Sequence, residues 1–312
     1  MIAEKAEGPT GRTVVVSLLN LASLYQEQAR FDESEALSKQ ALEIMEKNYG
    51  DDQVGMAGAL QNLAVTYRNE GRNAEAEALY RRALGLLQPS VGEKDPHYAD
   101  VLQNLSVVLR EEQKYDEAET LCKQSIDIWI LSFGRDHPSV VMGNSNLSKI
   151  YCAEKKYGDA ETLSCSCLES FKRVFDANHP YVANCAANLA DIYIAEGKAI
   201  EAEPLCEESL RIREKTWSEP HPKVAHSLDQ LAQVREIQGK NAEASALYKQ
   251  SLDMYEKVYR TDSHPEIGGL VKRYAELLKK MGSSGEADEL LVRISDGEHN
   301  GVAAKPTDAL PK

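Results

Sequence analysis

Residues 62–79 read NLAVTYRNEGRNAEAEAL, and residues 188–205 read NLADIYIAEGKAIEAEPL. The two stretches lie three periods of 42 residues apart, and the columns between and around them continue in the same frame. One column holds Asn20, Asn62, Asn104, Asn146, Asn188 and Gln230, and the next holds Leu21, Leu63, Leu105, Leu147, Leu189 and Leu231. Further on stand Ser34, Ala76, Ala118, Ala160, Ala202 and Ala244. Six rows align without a gap. A seventh follows after one inserted residue within 260–263, so that Ala275, Ala287 and Leu290 keep the pattern. Self-similarity at such a period marks a repeat architecture, in which each row is one supersecondary unit stacked on its neighbours.

Each row reads as two helices. In row three, helix A is expected from Pro96 to Glu112 and helix B from Asp116 to Ser132. Leu102, Leu105 and Leu109 recur at three- and four-residue steps, which puts an apolar stripe on one face of a helix. The break between A and B falls at Gly71, Gly197, Gly239 and Gly282. Acids open helix B (Asp116, Glu117, Glu119) and bases close it (Lys172, Arg173), an arrangement that complements the helix dipole. Between rows runs a linker of the form Phe133-Gly134-Arg135-Asp136-His137-Pro138, and its proline suits the first position of a helix. The rows are placed near 12–53, 54–95, 96–137, 138–179, 180–221, 222–264 and 265–294. Residues 1–11 are expected to be a flexible segment, and residues 295–312 a disordered tail rich in Gly and Pro.

Composition narrows the function. Of 312 residues 42% are apolar and 28% charged, enough to build a core. No apolar run reaches the roughly 20 residues that span a bilayer, and the opening residues hold no secretory apolar region, so a cytoplasmic protein is expected. The net charge of −14 argues against a nucleic-acid partner, because phosphates need a basic face.

The Asn-Leu-Ala-x-x-Tyr element (Asn62 to Tyr67, Asn188 to Tyr193), the Ala-Glu-x-Leu element (Ala76 to Leu79, Ala202 to Leu205) and the Phe-Gly-x-Asp-His-Pro linker together resemble the tetratricopeptide repeat. The resemblance is to its long form, found in kinesin light chains, and covers residues 12 to about 294. It implies an all-α fold, a right-handed superhelical solenoid of seven antiparallel helix pairs whose helices A line a concave groove for extended peptides. A kinesin light chain also carries a long heptad segment ahead of its repeats, and only about eleven polar residues precede row one here.

Catalytic signatures such as G-x-S-x-G, H-E-x-x-H and phosphate-cradling glycine loops are absent from the sequence, so neither an enzyme nor a cofactor is expected. The recurrent His137, His179, His221 and His264 stand a full repeat apart, too far to share a metal, and helix initiation accounts for them. Cys122, Cys167 and Cys206 fall in core columns and read as small hydrophobes.

The amide column is the strongest functional signal. Asn20, Asn62, Asn104, Asn146, Asn188 and Gln230 each offer donors and an acceptor, and in a groove such a row pairs with the backbone of an extended ligand. The alternative is that each amide bonds a neighbouring helix and sets the spacing of repeats. Arg68, Arg110 and Lys149 add positive charge nearby, and Asp191, Asp229 and Glu236 suggest an acidic second half. Val16 and Leu19 put apolar side chains where later rows hold Gly58, Asp100, Gln61 or Gln103. The expected partner is a protein or linear peptide, an acidic motif among the candidates, held by an adaptor or scaffold. A subunit locked permanently into a larger complex is the competing expectation, and the sequence sets no oligomeric state.

Overall fold

A computed structural model describes residues 8, 10–217, 220–259 and 264–301, leaving out the side chains of residues 265 and 295–301. Among these residues the chain forms fourteen α-helices and no strand. In row order the pairs are α1 (Arg12–Glu27) and α2 (Phe31–Asn48), α3 (Gln53–Asn69) and α4 (Asn73–Ser90), and α5 (Pro96–Glu111) and α6 (Tyr115–Phe133). There follow α7 (Pro138–Ala153) and α8 (Tyr157–Val174), α9 (Pro180–Ala195) and α10 (Ala199–Thr216), α11 (Pro222–Ile237) and α12 (Asn241–Tyr259), and α13 (Pro265–Lys280) and α14 (Ser284–Gly301).

The third pair shows why the sequence breaks where it does. Asp95 caps α5 by accepting the backbone N–H of His97 at 2.8 Å, and Pro96 fills the first turn, where an N–H has no partner within the helix. Leu102, Leu105 and Leu109 are buried. The helix stops after Glu111, and Gln113 takes a φ of 63° so that Lys114 N–H reaches back to the Leu109 carbonyl at 2.8 Å. Gly71, Gly197, Gly239 and Gly282 fill the same column at φ between 75° and 87°, the left-handed region that a Cβ disfavours.

The linkers follow one plan. His137, His179, His221 and His264 each accept, through Nδ1, the backbone N–H two residues on, at 3.2–3.3 Å. Asp95 does the same work in row three. Each imidazole also lies against the aromatic residue that ends the previous row: Phe133 tilted on His137 at 4.5 Å, and Phe175 stacked on His179 at 4.2 Å, Trp217 on His221 at 4.1 Å and Tyr259 on His264 at 3.6 Å. The histidine and aromatic columns therefore occur together because they form one joint.

Contacts divide the chain after Ile192, within α9. In the first unit successive helices pack from α1 to α8, and the first helices of the pairs, α1, α3, α5 and α7, also touch one another as a continuous layer. Its core includes Leu60, Leu63, Tyr80, Leu87, Leu102, Leu105 and Trp129. In the second unit α10 to α14 pack in succession around Tyr248, Tyr255, Leu270 and Leu277.

One boundary moves. Helix α14 continues to Gly301, seven residues past the expected end of the last repeat, so Gly297 does not stop it. Residues 302–312 of the expected tail, and residues 1–7 and 9 of the expected leading segment, lie outside the described residues. No helix among the described residues is long and apolar enough to cross a membrane.

Candidate functional site

The amide column connects rows. In the first unit the Asn62 side chain donates to the Leu19 carbonyl at 3.3 Å and to Ser23 Oγ at 2.9 Å, both on α1. Its oxygen accepts from Gln26 Nε2 at 3.1 Å and from Ser38 Oγ at 3.0 Å. Asn104 reaches Gln61 Oε1 of the previous row only at 3.4 Å, and Asn188 donates to Ser145 Oγ of the previous row at 2.6 Å. The seventh member is Arg273, which the single inserted residue hides from a strict 42-residue count. It binds the Asp229 carboxylate of the previous row, in the second unit, at 2.5 and 3.3 Å. Leu19, Gln61, Ser145 and Asp229 all stand in the column just before the amides. Asn62, Asn104, Asn188 and Arg273 thus fasten to the same place in the row before, by whichever polar chemistry the pair carries.

This changes what the column presents to a ligand. Asn188 is 8% exposed and Gln230 is fully buried, so neither side chain faces open solvent. Asn62 spends its donors and acceptors on α1 and α2. Asn20 is exposed, Asn104 is half-buried with one long bond, and Asn146 is half-buried with no side-chain hydrogen bond among the described residues. The open amides are therefore 20, 104 and 146.

The charged candidates also separate. Arg68 donates to the neighbouring Asn69 at 3.0 Å, and Arg110 to the neighbouring Glu111 at 3.5 Å. Both are half-buried, occupy the same column, and meet no carboxylate from another row among the described residues. Beneath Arg68 lies Tyr80, fully buried, with a hydroxyl that has no hydrogen-bond partner; burial pushes it up to about 12, and the Arg68 charge opposes that rise. Lys149 is half-buried one turn earlier in the register, in the column of Val65 and Val107. Those two valines, half-buried beside the arginines, were not expected from the sequence, although each lies one turn beyond an amide of the column. Val16 is 56% exposed, whereas Leu19 packs against the core, so the expected apolar pair is reduced to one open member.

The expected acidic second half is not open. Asp229 is buried under Arg273, and Glu236 accepts from Lys280 at 2.6 Å and from Tyr248 at 3.1 Å. Asp191 is half-buried in the first unit. Elsewhere Asp32, Glu35 and Glu70 bring three carboxylates together, but Glu35 is bound by Lys39 at 3.0 Å and Arg72 at 3.2 Å, and Glu70 by Arg72 at 2.7 Å. That cluster is already neutralised by cations of the protein. Burial raises the thiols of Cys122 and Cys185 to about 11 and of Cys167 to about 12, which holds them protonated and unreactive.

The family model described as Tetratricopeptide repeat matches residues 13–89, 97–173, 141–215 and 181–257. Among solved structures of similar fold is the apo form of RapI, 12% identical, covering 93% of this chain and 99% of its own with a TM-score of 0.63. Another is a Rap protein in complex with Competence and Sporulation Factor, 13% identical, covering 92% and 98% with a TM-score of 0.58. A third is a putative kinesin light chain from Podospora anserina with nearly identical repeats, 23% identical, covering 67% and 99% with a TM-score of 0.51. No curated protein sequence matches the chain.

Proposed function

Because the chain belongs to the tetratricopeptide repeat family, we propose that it is a non-catalytic binding protein that holds an extended segment of another protein across α3, α5 and α7. The observation that carries this reading is the pair Arg68 and Arg110, repeated in successive rows with no carboxylate from another row among the described residues. Two guanidiniums beside Val65 and Val107 that meet no acid of a neighbouring row among the described residues favour an acidic partner with an apolar anchor. Asn104 and Asn146 supply open amides along the same layer for the ligand backbone. A Rap protein of similar fold, crystallised with Competence and Sporulation Factor, shows that such a scaffold can hold another molecule.

The test is fluorescence anisotropy with short peptides that carry one tryptophan flanked by acids. Wild type should bind with a Kd of about 1–100 μM, weakening as salt rises. The double variant Arg68→Glu/Arg110→Glu should lose at least about tenfold in affinity, with its helical circular dichroism unchanged. Equal binding by the double variant at low and moderate salt would remove α3 and α5 from the site.

A further inference from the structure

Two rows carry a tyrosine at the same place in their second helix, and they use it differently. Tyr80 on α4 and Tyr248 on α12 stand in one column, which holds Cys122, Ser164 and Cys206 in the rows between. Both tyrosines are fully buried. On the first helices, Arg68 of α3 and Glu236 of α11 also share a column. In row six the Tyr248 hydroxyl donates to one oxygen of Glu236 at 3.1 Å, and Lys280 of α13 donates to the other at 2.6 Å. A single carboxylate is thus held by a buried phenol and a cation.

Row two has the phenol and the cation but no carboxylate between them. The Tyr80 hydroxyl is buried without a hydrogen-bond partner among the described residues, an unfavourable state for a polar group. Burial pushes it up to about 12, so near neutral pH it keeps the proton it would donate. Arg68 lies close enough for its charge to oppose that rise, and its guanidinium donates to the adjacent Asn69 at 3.0 Å. Because Arg68 is half-buried, turning one long side chain opens the way to the hydroxyl, and no helix has to move. Row three differs. There Cys122 takes the place of Tyr80, with its sulfur 3.6 Å from Gln103 Oε1 and 3.5 Å from the Gly143 carbonyl, so the donor below Arg110 is already engaged.

We propose that row two seats a side-chain carboxylate of the ligand between Arg68 and the Tyr80 hydroxyl, in the place that Glu236 fills from within the chain in row six. Tyr80 is then a specificity-determining residue, which sets an acid of the ligand over α3 rather than over α5. Charge on Arg68 attracts any anion, whereas a phenol fixed by the core rewards an acceptor only at one position. The hydroxyl that lacks a partner in the free chain gains one on binding. This inference rests on the peptide reading above and assigns the acid of that peptide to one arginine and one hydroxyl.

Anisotropy with the same tryptophan peptide, made with a free and with an amidated C-terminus, tests this together with thermal melts of the full chain. Both peptides should bind alike. Tyr80→Phe should weaken binding about tenfold. Arg68→Gln should weaken it about tenfold or more, and Arg110→Gln about threefold or less. Without peptide, Tyr248→Phe should lower the melting temperature, because Glu236 loses a donor, while Tyr80→Phe should leave it unchanged or raise it. The proposal is overturned if Tyr80→Phe binds like wild type while Arg68→Glu/Arg110→Glu still loses affinity; the peptide reading would then stand without it. If that double variant binds like wild type, both fall. A melting temperature lowered as far by Tyr80→Phe as by Tyr248→Phe would also sink it, since the hydroxyl would already be satisfied in the free chain. So would loss of binding on amidation, which would make the carboxylate a terminal one.

Discussion

The first helices of the two units carry opposite charge in the same column and pair it differently. In α3 and α5, Arg68 and Arg110 find only an adjacent residue of their own helix. In α11, Glu236, of the same column, is bound by Lys280 on α13, while Asp229 is buried under Arg273. Charge at a given repeat position is therefore not a property of the repeat. Whether it serves cohesion or recognition depends on what the next row places opposite it. A buried, paired carboxylate holds rows together, and a guanidinium that meets no acid of another row takes no part in that cohesion.

Each unit has a core of its own, and the largest expected effect lies in that of the first. Leu105→Ala should cost about 2–5 kcal/mol in chemical denaturation, since Leu105 is fully buried. A cost near zero would mean the stack relaxes around cavities and that no column can be ranked against another. Next comes the contrast itself. Asp229→Ala leaves Arg273 beneath a lost partner and should cost about 1–3 kcal/mol, whereas Arg110→Ala should change stability by less than about 0.5 kcal/mol. Equal costs from the two would erase the distinction between cohesive and open charge.

Within the amide column, Asn62→Ala should cost about 1–2 kcal/mol because it takes the acceptor from Ser38 Oγ and the bonds to Leu19 and Ser23, and Asn146→Ala should cost almost nothing. Thermal melts of both variants decide that. The smallest effect is one of pH. Lys114 and Arg81 hold the Glu77 carboxyl down to about 2, below its ordinary 4.5. A depressed carboxyl contributes stability that is present above the unfolded value and lost as pH falls through the folded one. The melting temperature should therefore decline between pH 4.5 and about 2, and Glu77→Gln should flatten part of that decline.

The fold was readable because packing fixes its columns: only a small or aliphatic side chain fits where Ala64, Leu63 and Ala76 sit, and that demand recurs every 42 residues. The joints were half readable. Proline announced the start of each helix, but the work of His137 as a cap emerged only when its Nδ1 met the Ser139 N–H. The amides were the least legible. Their recurrence suggests a common role, yet Asn62, Asn146 and Asn188 have different surroundings, set by Ser23, Ser38 and Ser145 in rows where those hydroxyls happen to be present. A column shows that a side chain points the same way in each row. It does not show whether a partner waits there.

Asn146 gives that difference a mechanical meaning. Between rows one and two, and between rows six and seven, the column residue acts as a rivet; between rows three and four no rivet is in place among the described residues. At that seam, where α5 and α7 meet, the rows are joined by other contacts, such as Lys156 with Glu119 at 3.2 Å, but not through the amide column among the described residues. A ligand whose backbone accepted the Asn146 amide while touching α5 would supply the missing fastener, so that occupancy would be felt as stiffness along the rows on either side.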